Sequence, residues 1–450
     1  MTEPSADTIL WDVIEEHLDE AEYLAENWRV NLDSPAYLRD EFERGPQERL
    51  LAHVDGLVVG GDPVRTEVLG PALQDEDTDP WRVTAAALAL LGHDSRQVSE
   101  PLFNELDALP EPAREGVIEA LVMSDRPDID VRLTDALRRG GAAEHLVALA
   151  TVGGRRGINP GNLVDALLKD GDAVARTAAV SMLGYGDRRY VTWAEHCLAK
   201  PEPELQRAAL RAGLMMGSGL AWQTAGRLGL AEESPDREAM VLLCSFAEPM
   251  IIERLTRMLE VEASRADALF ALGFSGRVAA LDAIVPWLGD EAFGPLAGEA
   301  FASMTGLPLD DDAYWTDRED DDVEDEDPDT LEDDLDEDED PDEDLSIAAD
   351  EELRVPKADA IAAWWEERSG RFNAKLRYIA GRPADQNAIE HALRTQPMRR
   401  HHALAFELLV RSRGQANVRT RSFTHASKAA LEALASLPRL DGNRSYANLG

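Results

Sequence analysis

Cysteine is nearly missing: Cys197 and Cys244 are the only two in 450 residues. Two thiols cannot make a disulfide framework, and their spacing matches no metal-ligand pattern, which suits a reducing compartment. Cationic charge is also short, with 45 Lys plus Arg against 88 Asp plus Glu and a formal net charge of −43. Polyanion binding draws on clustered Lys and Arg, so nucleic acid and anionic membrane surfaces are excluded as partners. No cationic segment followed by an apolar run opens the sequence, and nowhere do about 18 uncharged apolar residues follow one another. The chain is therefore expected to be soluble, unexported and cytoplasmic.

Catalytic signatures are missing too. None of the nine histidines sits in His-Glu-x-x-His, and there is no Gly-x-Ser-x-Gly elbow and no phosphate-binding glycine pattern. The glycines of DGLVVGGDP (residues 55–63) and VGGRRG (residues 152–157) read instead as helix C-caps followed by turns. No catalytic residue, metal or cofactor is expected. Alternating β-branched runs do not occur, which argues against a sheet.

What is present is a repeat. Small-residue helical stretches close at 92 (RVTAAALALLG), 124 (REGVIEALVMS), 153 (EHLVALATVG), 184 (VARTAAVSMLG), 213 (LQRAALRAG), 245 (REAMVLLCS), 273 (RADALFALG) and, more weakly, 305 (LAGEAFASMT). The mean step of about 30 residues is the size of one helical hairpin. Bulkier stretches alternate with them, such as VTWAEHCLA (191–199), IIERLTRML (251–259) and AALDAIVPWL (279–288). Small residues let helices approach while the partners fill the grooves between layers. Joints carry Pro110, Pro112, Pro201, Pro203, Pro235 and Pro249, and Asp172 stands where an N-cap belongs. The expected fold is all-α, an α-solenoid of HEAT-like helical hairpins with an internal disordered acidic insertion and a helical C-terminal block. A compact bundle is the alternative.

Four regions follow. Residues 1–75 form an N-terminal helical cap region, with an amphipathic helix beginning near Asp7 on which Leu10, Ile14, Leu18, Ala21, Leu24 and Trp28 share one face. Residues 76–309 are the repeats. Residues 310–352 are a disordered acidic linker; 310–344 hold 24 acidic residues and one basic, too few apolar groups to offset chain entropy. Residues 353–450 are a basic helical block, with 17 basic and 8 acidic residues. A positive block after a polyanionic tract suggests an internal mask as well as a plain spacer.

The densest feature of that block is AAWWEERSGRFNAKLRYIAGRP (362–383). Trp364 and Trp365 alternate there with Arg368, Arg371 and Arg377, as a recognition patch would require, although packing of the tryptophans at the junction with the repeats is the simpler reading. Arg399, Arg400, His401 and His402 open a helix, where four donors at the positive dipole end must splay to solvent or meet acidic groups. These seven residues, Trp364, Trp365, Arg368, Arg371, Arg377, Arg399 and Arg400, are the candidate partner-binding set. Trp193, His196 and Cys197 are the one modest enzymatic constellation.

The segments ILWDVIEEHLDEAEYL, ERLLAHVDGLVVGG, WW…RF…RYIAGRP and LAFELLVRSRG resemble an uncharacterised family of proteobacterial proteins with HEAT-like α-helical repeats, over almost the whole chain except the acidic insertion. The resemblance implies a HEAT-like solenoid whose members accompany type VI secretion genes, and it carries no catalytic residues. The function expected is a non-enzymatic protein-binding scaffold, an adaptor, effector-loading chaperone or immunity-like protein, with a basic protein as partner. A HEAT-like lyase or protein-modifying enzyme is the alternative.

Overall fold

The apolar spacing read at the N-terminus forms one long helix. In the computed structural model, which describes residues 9–93, 95–246, 248–318, 350–434 and 438–449, α1 (Trp11–Asn31) buries Ile14, Leu18, Ala21, Leu24 and Trp28. Leu10 precedes the helix and is exposed. Trp28 is fully buried between Phe42 and Phe423, which already links the two ends of the chain. Helix α1 packs on α2 (Glu48–Val59) and α3 (Pro80–Gly92).

From α3 onward each small-residue segment is a helix. They are separated by shorter helices that carry the bulkier residues. In chain order these are α4 (Glu111–Met123), α5 (Ile129–Arg139), α6 (Ala143–Arg156), α7 (Asp165–Asp170), α8 (Ala173–Leu183) and α9 (Val191–Cys197). There follow α10 (Pro203–Met215), α11 (Gly219–Gly229), α12 (Arg237–Phe246), α13 (Pro249–Arg257), α14 (Glu262–Leu272), α15 (Val278–Ile284) and α16 (Gly294–Thr305). The small-residue helices form a row in which α3, α4, α6, α8 and α10 pack in succession, as do α12, α14 and α16. Helix α11 packs on both α10 and α12 and carries the row across between them.

Small residues set the spacing. A Cβ on Gly116 of α4 would lie 2.3 Å from the Pro80 carbonyl of α3, and one on Gly154 of α6 would lie 1.9 Å from the Ser181 hydroxyl of α8. Only glycine permits these approaches. Asp172 caps α8 as expected, its carboxylate accepting from the Ala175 amide at 2.9 Å. Gly157 ends α6 in the left-handed region at φ +75°, the C-cap read from VGGRRG.

After α16 the chain forms β1 (Trp315–Thr316), antiparallel to β2 (Val355–Pro356). The acidic linker lies between them, and its residues 319–349 are outside those described. Arg354 holds its two ends with Asp312 at 2.9 Å and Asp317 at 2.7 Å. The C-terminal block then contains α17 (Ala358–Arg368), a β3 (Tyr378–Ile379) and β4 (Arg382–Pro383) ladder, α18 (Gln386–Thr395), α19 (His401–Arg411) and α20 (Thr424–Ala433).

The block runs back along the C-terminal ends of the row. A helix leaves its last carbonyls without intrahelical donors and carries a partial negative charge there. The basic block supplies the donors. Ala380 and Gly381 amides reach Ser303 and Met304 of α16 at 2.9 and 3.0 Å. Arg377 reaches Phe274 and Ser275 just past α14 at 3.0 and 2.9 Å, and Arg411 reaches Ser245 of α12 at 2.9 Å. Tyr446 reaches Leu214 of α10 at 2.9 Å, Asn417 reaches Arg156 of α6 at 3.2 Å, and Phe423 reaches Met123 of α4 at 2.8 Å. Residues 353–450 and the N-terminal region are joined as well: the Met398 amide donates to the Tyr37 carbonyl, and Gln47 exchanges hydrogen bonds with Thr424.

Candidate functional site

The seven residues picked from the sequence do not form one surface. Trp365 is buried, donates Nε1 to Asp282 at 3.0 Å and packs edge-on against Phe301 of α16, which Trp364 also meets edge-on. The tryptophan pair is thus the junction with the repeats. Arg368 lies over the Trp364 ring at 5.2 Å, and Arg371 is exposed. Arg377, Arg399 and Arg400 are buried, which corrects both their reading as a partner-facing patch and the solvent-splayed helix start. The reason is local: each meets carbonyls, carboxylates or aromatic rings inside the fold.

Arg377 and Arg411 clamp Glu407. The Glu407 Oε1 accepts from both at 2.7 Å, its Oε2 accepts from Arg377 at 3.3 Å, and all three side chains are almost fully buried. Burial opposes ionisation of Glu407, but the two guanidiniums outweigh it and hold the carboxyl below its ordinary value. The remaining donors of both arginines take helix-end and loop carbonyls. This cluster is therefore a structural clamp, and its one sequence signal is a lone Glu in the apolar run LAFELLV with Arg at i+4.

Arg399 and Arg400 converge on Glu299, the one carboxylate of α16, a helix in which every residue is buried. The Arg399 and Arg400 contacts are 3.7 and 3.6 Å, too long for hydrogen bonds. Both Glu299 oxygens and all three Arg400 guanidinium nitrogens lack a hydrogen-bond partner. Arg400 stacks on Phe274 at 3.9 Å, and burial lowers its pKa to about 10. Glu299 and Arg400 line a cavity of about 730 Å³ between the Pro35–Leu38 segment, α16, β1 and the end of α18. Its walls are largely apolar, with Trp315, Leu307, Leu353 and Pro397, while Glu41, Asp310, Asp317 and Glu352 stand with Arg354 among its other lining residues. Such a cavity, with few convergent polar groups, is the form of a binding site. The sequence reading missed Glu299, whose signal was a single acid in the otherwise small and apolar LAGEAFASM.

His401 is buried, with Nε2 donating to the Gln396 carbonyl at 3.0 Å, and burial pushes its pKa down to about 3. His402 hydrogen-bonds Thr420 at 2.6 Å and lies 3.4 Å from Asp33. Asp33 is held at about 2: burial raises it, and His402, Arg421 and Arg29 overcome that. The Trp193, His196 and Cys197 trio does not converge. Cys197 is buried and its thiol is raised by desolvation, whereas His196 is exposed. Among the described residues no three His, Cys, Asp or Glu side chains gather as a metal site requires, and no helix is long and apolar enough to cross a membrane. No protein-family model matches the chain, and no curated protein matches it.

Proposed function

We propose that this chain is a non-enzymatic protein-binding scaffold, a HEAT-like α-solenoid of the adaptor, effector-loading chaperone or immunity-like kind linked to bacterial type VI secretion, with a basic protein as its partner. The row of hairpin helices packed one on the next supports the solenoid reading. The Glu299 carboxylate, ion-paired with Arg399 and Arg400 but hydrogen-bonded by neither, in a largely apolar cavity lined by four further carboxylates, is the observation that carries the partner reading. A Lys or Arg side chain entering there supplies the donors that both Glu299 oxygens lack, and its methylenes meet Trp315 and Leu307. Charge distribution points the same way. Arg377 and Arg411 of the positive block turn inward onto carbonyls and Glu407, and the whole chain carries a net charge of −43, which favours a basic partner.

The test is affinity capture from the source cell with the full chain as bait, read by mass spectrometry. One stoichiometric basic protein supports the proposal; only neutral or acidic partners contradict it. The same Glu299–Arg400 pair, 3.6 Å apart without a hydrogen bond, favours a second reading, an enzyme of the HEAT-like class. That reading requires a turnover that Arg400→Gln abolishes while the fold survives.

A further inference from the structure

Two side chains of opposite charge line the Glu299 cavity together. The Glu299 carboxylate and the Arg400 guanidinium are 2% and 1% exposed and stand 3.6 Å apart. Charge is balanced there, since Arg399 pairs with Asp350 at 2.7 Å and Arg400 is offset by Glu299. Hydrogen bonding is not. Both carboxylate oxygens and all three guanidinium nitrogens have no partner, which costs free energy in groups so deeply buried.

Arg400 is held by shape. Its guanidinium lies over the Phe274 ring at 3.9 Å, and Gly273 leaves it room, because a Cβ on that residue would lie 2.7 Å from Nη2. Stacking fixes the plane of the guanidinium and leaves its N–H edge without an acceptor. What this pair lacks is therefore not a counter-charge. It lacks a donor and an acceptor presented side by side, which a ligand of zero net charge can supply.

An α-amino acid has that form. Its ammonium donates to the two Glu299 oxygens and its carboxylate accepts from the Arg400 fork. The two groups of the ligand are about 3 Å apart, close to the 3.6 Å that separates Glu299 from Arg400. Trp315, Leu307, Leu353 and Pro397 give the rest of the ligand apolar walls. The cavity volume of about 730 Å³ lies within the range of about 300–1,000 Å³ common for ligand pockets.

We propose that this cavity binds a free α-amino acid with an apolar side chain, its ammonium on Glu299, its carboxylate on Arg400 and its side chain against Trp315 and Leu307. The cationic arm rests on the function proposed above for the same cavity; the anionic arm at Arg400 goes beyond it.

Isothermal titration of the full chain with L-leucine and with L-phenylalanine tests it. At least one binds with 1:1 stoichiometry at sub-millimolar Kd. The stronger of the two is then compared with its amine, which lacks the carboxylate, and with its acid, which lacks the ammonium; each binds at least tenfold more weakly. Arg400→Lys keeps the charge and loses the fork, so it weakens the amino acid at least tenfold and leaves the amine unchanged, a split that general damage to the fold would not produce. Arg371→Gln, on the exposed surface, leaves both affinities unchanged. Binding by neither amino acid overturns the proposal, as does an acid that binds as well as the parent ligand. An amine that binds as well as the amino acid overturns it too, but leaves a cationic side chain at Glu299, and with it the basic partner, in place. These comparisons use the parent chain, so they decide the matter even if Arg400→Lys does not fold.

Discussion

Glu407 gives the sharpest stability prediction. Its carboxylate neutralises Arg377 and Arg411 in a cluster whose three side chains are each at most 2% exposed. Glu407→Gln preserves shape and removes the charge, leaving two buried guanidiniums that face an amide. Breaking a buried ion pair by removing one partner costs about 3–5 kcal/mol. With an unfolding entropy of about 2.1 cal/mol/K per residue, a 450-residue chain that unfolds as one unit loses only about 3–5 °C in Tm. Urea titration is therefore the better assay, and the midpoint should fall without a change of slope. The pH dependence follows from sign. The folded Glu407 carboxyl lies below its ordinary value of 4.5, so its contribution is fully present above that pH and is lost as pH falls through the folded value. The gap between parent and variant must therefore close on acidification below about 4.5. A cost under about 1 kcal/mol at pH 7, or a gap independent of pH down to 2, would refute the reasoning.

Gly154→Ala places a methyl 1.9 Å from Ser181 Oγ and should destabilise by about 1–3 kcal/mol, with Ser181→Gly restoring part of it in the same denaturation assay. His401, held near 3 in the fold against 6.5 when free, takes up its proton only on unfolding. Stability is lost as pH falls from about 6.5 towards 3, by about 1.4 kcal/mol per pH unit, and His401→Gln should flatten the measured slope. Trp365→Ala should cost about 3–5 kcal/mol and Arg371→Ala less than about 0.5 kcal/mol; the reverse order in melting experiments would return the 362–383 segment to the surface.

The helices were legible because their signal is local. Small residues recurring over about 30 positions, Asp172 before α8 and Gly157 after α6 each specify an element from within a dozen residues. The course of the C-terminal block was not legible, since it depends on contacts such as Phe423 with Met123, 300 residues apart. Its composition held half the answer: a surplus of arginine can face solvent, an acidic tract or helix-end carbonyls, and only the fold assigns Arg354 and Arg399 to the linker carboxylates Asp312, Asp317 and Asp350 and Arg377 and Arg411 to carbonyls. Glu299 and Arg400 failed to stand out for a related reason. One acid in a small-residue helix and one of two adjacent arginines become a pair only once α16 and α19 are brought together around Phe274.

The most direct test of the proposed function is the affinity of the full chain for the partner it captures, measured by fluorescence anisotropy at low and high salt. The parent is compared with a Glu41→Gln, Asp310→Asn double variant, whose exposed carboxylates line the Glu299 cavity. The account predicts binding that weakens steeply with salt and at least tenfold in the variant. Binding that is insensitive to salt and unchanged in the variant would contradict it.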